Sequence, residues 1–267
     1  MDCPELKQQW KQGFCVFPQF LSQERVERLR EICDRVLEQW LNRLPAASRN
    51  APFANMAYLT EPDYFQTNAE DLLELLEFIA APEILKILTS IASAPLLFNN
   101  TQYFFNNPLS PSWEGEWHRD TQFLAPDPEL EQKRMQQFTG VHFRVALLPD
   151  RCFAYVPGSE QRWDNAEEFS IRQGMGRPKN DRTMPNHQTI QLNPGDGLLF
   201  HAWGIHRGVY QQQVPRRTLD IIYQWGDICD YCPPPPTCFK DQAVLDRLSP
   251  GAREFFDYFG QMYDRFW

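Results

Sequence analysis

Trp117-His118-Arg119-Asp120 sets an imidazole and a carboxylate two residues apart, and a further imidazole, His206, follows much later in the chain. On extended backbone the period of two brings His118 and Asp120 to one face, where both reach a single ion. His206, arriving from a distant strand, completes a two-histidine, one-carboxylate set. Such a set suits Fe(II) and leaves coordination positions open for O2 and a co-substrate. Arg217, eleven residues after His206, presents a fork of N–H donors that matches a carboxylate. It shares a strand face with Leu219 and Ile221, which predicts an inward-pointing cation in need of an anionic partner. The same alternation sends its neighbour Arg216 to the opposite face.

These residues must be held by surrounding elements, and the sequence predicts them. From Ser22 to Leu44, apolar Val26, Leu29, Ile32, Cys33, Val36, Leu37, Trp40 and Leu41 recur at three- and four-residue steps, the spacing of an amphipathic helix entered at Ser22. A second helical stretch runs from about Ala69 to Ala92 and is interrupted at Pro82. From Pro95 to Trp225 the texture changes to short β-branched and aromatic runs (LLFNNTQYFF, GVHFRVALL, CFAYVP, TIQL, GLLFHAW, TLDIIYQW) separated by turn signals such as PGS and NPGDG. The polar stretch from Asn165 to Gln188 predicts a long loop over the site, with Arg172, Arg177, Lys179 and Arg182 as a local anion-binding cluster. A second covering segment is expected from Asp227 to Lys240, followed by a terminal amphipathic helix ending in FFDYFGQMYDRFW. The expected fold is therefore mainly β with flanking α-helices, a jelly roll in one domain over residues 1–267. A helical part to about residue 94 and a β core over about 95–226 precede the proline-rich segment and last helix.

Taken together, WHRD, AYVPGSE, NPGDGLLFHAWGIHRG and PRRTLDIIY resemble the phytanoyl-CoA dioxygenase family of Fe(II)/2-oxoglutarate oxygenases. GFCVFPQFLSQERVERLREICDRVL is similar to that family's opening strand and helix, so the likeness spans most of the chain. It implies a cupin-like double-stranded β-helix with His118, Asp120 and His206 as iron ligands. It also implies Arg217 as the anchor for the distal carboxylate of 2-oxoglutarate, Gln102 as a further co-substrate contact, and His206 rather than His201 as the distal ligand. The implied reaction consumes O2, releases CO2 and succinate, and hydroxylates an unactivated carbon of a small molecule. Desaturation, cyclisation and epoxidation use the same iron site. Related halogenases carry a small residue in place of Asp120. This chain departs from the family with Glu160 after PGS, where a histidine is common, and with Gly208, where serine is frequent.

Composition narrows the alternatives. Hydrophobic content of 42% and aromatic content of 14% supply a full core, and a net charge of −9 disfavours nucleic acid as a partner. No apolar run is long enough for a membrane span, the amino terminus lacks a signal layout, and a cytoplasmic protein is expected. Seven cysteines read as reduced thiols; Cys229, Cys232 and Cys238 lack a fourth ligand for zinc. His142 reads as a strand histidine with ordinary hydrogen bonds, and Trp117 and Trp203 as core or pocket wall. A non-catalytic jelly-roll module that binds a ligand is the competing class, and oligomeric state is left open.

Overall fold

The computed structural model describes residues 3–49, 51–53, 55–125, 127–176, 178–180, 182–226 and 237–263. In chain order the elements are α1 (Cys3–Trp10), β1 (Phe14–Phe17), α2 (Gln23–Arg43), β2 (Asn55–Ala57), α3 (Ala69–Ile79), α4 (Pro82–Thr89), β3 (Leu97–Phe105) and β4 (Trp113–Glu114). There follow α5 (Pro128–Gln137), β5 (Phe138–Ala146), β6 (Asp150–Tyr155), α6 (Ala166–Arg172), β7 (Gln188–Leu192), β8 (Gly197–His201), β9 (His206–Tyr210), β10 (Arg217–Gly226), α7 (Gln242–Leu245) and α8 (Pro250–Tyr263). The strands form a six-stranded sheet, ordered β1-β8-β5-β10-β3-β2, and a four-stranded sheet, ordered β4-β9-β6-β7. Neighbouring strands run antiparallel, as the jelly-roll expectation requires.

The six-stranded sheet is apolar on its outer face and mixed on its inner one. Val141, Phe143 and Val145 of β5 and Leu219, Ile221 and Tyr223 of β10 join the core built with α2, α3, α4 and α8. Ala146, Leu198 and Phe200 instead meet Phe153, Tyr155, Ile190 and Leu192 of the opposite sheet. Helix α2 forms where its periodicity predicts. The Ser22 hydroxyl accepts from the Arg25 amide at 3.3 Å, and Val26, Leu29, Ile32, Cys33, Val36 and Leu37 are buried. Pro82 opens α4 at a position whose amide needs no intrahelical partner, so the predicted long helix divides there. Phe256 and Phe259 of α8 pack with Phe239 against Phe98 of β3.

Two expectations change. The amino-terminal part is not purely helical, since β1 and β2 form the two edges of the large sheet. Within the stretch expected to be a loop, residues 166–172 form α6. Asn165 and Glu168 close a reciprocal capping box, an N-x-x-E signal present in the sequence. The turn Asn193–Gly197 behaves as its residues suggest. Asp196 accepts from the Asn193 amide at 2.8 Å and from the Gln19 amide at 2.9 Å, and Gly195 takes φ +89°. Most of the Asp227–Lys240 segment, with Cys229 and Cys232, lies outside the described residues; Cys238 is buried and its thiol donates to the Thr60 carbonyl. No helix among the described residues is long and apolar enough to cross a membrane.

Candidate active site

His118 and Asp120 do not share one regular strand. His118 forms an isolated antiparallel bridge to His206 at the start of β9, with reciprocal backbone bonds of 3.0 and 2.9 Å. Asp120 then opens a 3-10 turn, and its amide donates to the Ala202 carbonyl at 3.0 Å. The bridge and the turn bring the three side chains together, with one donor atom from each lying within 4.8 Å of the others. His118 Nδ1 lies 2.7 Å from the Glu116 carbonyl and His206 Nδ1 2.9 Å from the Gly204 carbonyl. A ring nitrogen facing a carbonyl carries the proton, so each Nε2 keeps its lone pair. These two Nε2 atoms stand 3.6 and 3.5 Å from Asp120 Oδ1. Burial, with His118 nearby, pushes the His206 imidazole down to about 3 and so keeps it neutral. Burial alone would raise the Asp120 carboxyl, but the surrounding imidazoles, above all His142, whose own imidazole is raised and which hydrogen-bonds Asp120, hold it below its usual range. Two imidazoles that each turn Nε2 toward one carboxylate form the donor set that a divalent iron site needs.

The other oxygen of Asp120 is also engaged. Asp120 Oδ2 lies 3.1 Å from His142 Nε2, and His142 Nδ1 lies 3.1 Å from Asp220 Oδ2. Arg144 grips both oxygens of Asp220, at 2.7 and 2.8 Å. Burial would lower the His142 imidazole, yet its bonds to the two carboxylates raise it. Burial would raise Asp220, but Arg144 and His142 bring it down to about 2. His142 is therefore more than an ordinary strand histidine. Its spacing from Arg144 on β5, and that of Asp220 on β10, was the signal available in the sequence: polar residues at every second position of otherwise apolar strands.

The arginine assignment is corrected. Arg217 projects to the helix-covered face with Leu219 and Ile221, where its Nε pairs with Asp34 of α2 at 2.5 Å, and it does not line the cavity. Arg216 does line it, 1% exposed, with Nε and Nη2 at 3.2 and 3.3 Å from the two oxygens of Asp150. Alternation does set the two arginines on opposite faces, but the apolar side of β10 meets helices rather than the interior. Arg144 and Arg216 each retain a buried Nη1 with no hydrogen-bond partner, and Phe104 packs beneath both guanidinium groups at 4.8 and 5.1 Å. Unsatisfied buried donors of this kind fit an incoming carboxylate.

One cavity of about 490 Å³ contains the three candidate ligands, His142, both arginines and Gln102. His201 lies apart, stacked 5.8 Å from Trp10 and pushed down to about 3 by burial and by Arg119. Trp117 is buried in the core with Ile171 and Met184, whereas Trp203 is part of the cavity wall. Glu160 hydrogen-bonds with Tyr155 outside the cavity, and Gly208 contributes backbone to its lining. The expected basic cluster is not assembled. Arg172 is buried against Asp164 and Glu131, Arg182 donates to Ser170, Lys179 lies 3.8 Å from Glu116, and Arg177 is outside the described residues.

The sequence profile of the family Phytanoyl-CoA dioxygenase (PhyH) matches residues 10–210. No curated protein sequence matches the chain. Among solved structures, the fold is similar to the non-haem alpha-ketoglutarate-dependent carbocyclase SnoK from nogalamycin biosynthesis, at 20% identity and TM-score 0.59 over 94% of this chain and 92% of that one. It is also similar to HygX from Streptomyces hygroscopicus with nickel and 2-oxoglutarate bound, at 13% identity and TM-score 0.58 over 84% and 86%. EctD from S. alaskensis in its apoform gives 13% identity and TM-score 0.57 over 84% and 76%.

Proposed function

Because the chain belongs to the phytanoyl-CoA dioxygenase family, we propose that it is an Fe(II)/2-oxoglutarate-dependent oxygenase acting on a small organic molecule. One observation carries this reading: His118, Asp120 and His206 converge in the same cavity as two buried arginines with unpartnered N–H groups. His118 and His206 hold the metal through Nε2 and Asp120 through Oδ1, while His142 keeps Asp120 Oδ2 occupied. Arg216 and Arg144 receive the distal carboxylate of 2-oxoglutarate, and Gln102 supplies an amide contact beside it. When bound, iron supplies the redox centre for oxygen and 2-oxoglutarate the electrons that centre needs. Phe104, Phe153, Phe200 and Tyr210 exclude water around the arginines, which strengthens the ion pairing there.

Hydroxylation of an unactivated carbon is the outcome we assign; cyclisation would yield a product that has lost hydrogen rather than gained oxygen. The test is aerobic incubation of purified protein with Fe(II) and 2-oxoglutarate, with succinate followed by mass spectrometry. Succinate should form with the native chain and not with His206→Ala. Tight 2-oxoglutarate binding with no succinate under any substrate mixture would instead favour a ligand-binding module.

A further inference from the structure

We infer that Arg119, the residue between His118 and Asp120, is a positioning residue that braces both halves of the metal site from the side away from the cavity. This rests on the reading of His118, Asp120 and His206 as the metal ligands. The Arg119 backbone is extended, with φ −111° and ψ 144°, so its side chain points away from the face that its two neighbours share, and it does not line the cavity. It is fully buried and makes five hydrogen bonds. Nε and Nη2 donate to Asp164 Oδ1 at 2.9 and 2.7 Å, and Nη2 donates also to the Arg162 carbonyl at 3.3 Å. Nη1 donates to the Ser159 carbonyl at 2.7 Å and to the Trp203 carbonyl.

The residues that accept from Nη1 lead to the third ligand. The carbonyl of Gly204, next after Trp203, is the one that faces His206 Nδ1, and the Ser159 hydroxyl accepts from the Ile205 amide at 2.8 Å. One guanidinium therefore connects the segment bearing His118 and Asp120 to the turn that sets the His206 ring. The remainder of its surroundings secures the other flank of Asp120. Asp164 Oδ2 accepts from Arg172 Nε at 2.6 Å, Arg172 Nη1 donates to Gln122 at 2.7 Å, and Glu131 accepts from Thr121 at 3.1 Å and from Arg172 at 3.3 Å. Side chains at 119, 121 and 122 are thus tied to one buried network, with the Trp163 ring 5.9 and 5.4 Å from the guanidinium carbons of Arg119 and Arg172. Stability alone does not call for such a network, because apolar packing of similar volume commonly serves as well or better. What ionic hydrogen bonds add is direction, since a planar guanidinium demands particular acceptor positions. The ligand segment needs that constraint, as His118 sits in an isolated bridge and Asp120 in a short 3-10 turn.

The experiment titrates the full chain with Co(II), reading affinity by calorimetry and ligand geometry by the visible absorption spectrum, and compares the native chain with Arg119→Met, Arg119→Lys and Leu219→Ala. Arg119→Met should bind Co(II) at least tenfold more weakly and show an altered spectrum. Arg119→Lys should fall between it and the native chain, because an ammonium cannot serve a carboxylate and three separate carbonyls together. Leu219→Ala, on the helix-covered face, controls for lost stability and should keep the native affinity and spectrum. Native affinity and spectrum in folded Arg119→Met overturn the inference, as does an equal change in Leu219→Ala. Should Arg119→Met fail to fold, Arg119→Lys decides by the same two readings. A native chain that binds no Co(II) removes the metal site and this role with it, an outcome distinct from equal binding by native chain and variant.

Discussion

At the level of single residues, Arg216 and Arg217 are adjacent, identical and on opposite faces. Arg216→Ala is expected to raise the 2-oxoglutarate dissociation constant at least tenfold, because truncating one partner of a desolvated charge pair costs about 2–5 kcal/mol. Arg217→Ala should leave that constant unchanged and remove roughly 0.2–1 kcal/mol of stability, the range for a partly exposed pair such as Arg217 with Asp34. Calorimetry with each variant distinguishes them; the reversed pattern would return the role to Arg217. His142 is a positioning residue for Asp120. His142→Leu should weaken Co(II) binding by roughly 10- to 100-fold and change the Co(II) absorption spectrum, with His142→Gln recovering part of the loss. The convergence of the three candidate ligands was legible because their residue types and order point to one chemistry. The arginine was not, because alternation gives two faces without saying which one helices will cover.

Individual elements make their own demands. Strands β5 and β10 exchange charge through Arg144, His142 and Asp220, so part of their pairing energy depends on ionisation. Asp220 binds its proton at about 2 in the folded chain against an ordinary 3.8, so the unfolded chain takes up protons first. The contribution is complete above 3.8 and is lost as pH falls toward 2. Asp220→Asn should therefore be less stable than the native chain at neutral pH, and the gap should narrow in acid, as measured by urea unfolding at a series of pH values. A gap independent of pH would mean the loss is steric. Helix α6 offers a simpler case, in which Asn165→Ala removes a capping box and should lower stability by about 1 kcal/mol. Its seven residues carry little hydrophobic periodicity and are followed by glycines, which mask the cap in the sequence, whereas α2 is evident from apolar positions at helical spacing.

In the whole molecule, one sheet serves two interiors. Its outer face and the helices make the largest core, and its inner face carries the candidate chemistry. Leu219→Ala should thus cost about 2–5 kcal/mol in stability while leaving 2-oxoglutarate affinity in the surviving folded protein intact. The polar inner positions were visible as interruptions in hydrophobic strands, but their convergence depends on contacts between strands far apart in the chain, which no local pattern encodes. Along β5 and along β10 as far as Ile222 the division follows residue number: Val141, Phe143, Val145, Leu219 and Ile221 face the helices, while Gly140, His142, Arg144 and Ile222 line the cavity; past the register irregularity Tyr223 belongs to both and Gln224 lines the cavity. Inheritance can consequently act on the two properties almost independently. Lineages that change even-numbered positions outside the Arg144–His142–Asp220 chain should alter what is recognised with little loss of stability, and defects at odd-numbered positions should be open to rescue by cooler growth or a stabilising change elsewhere. A saturation library across the two strands, selected at two temperatures, should separate survivors by the parity of the mutated position.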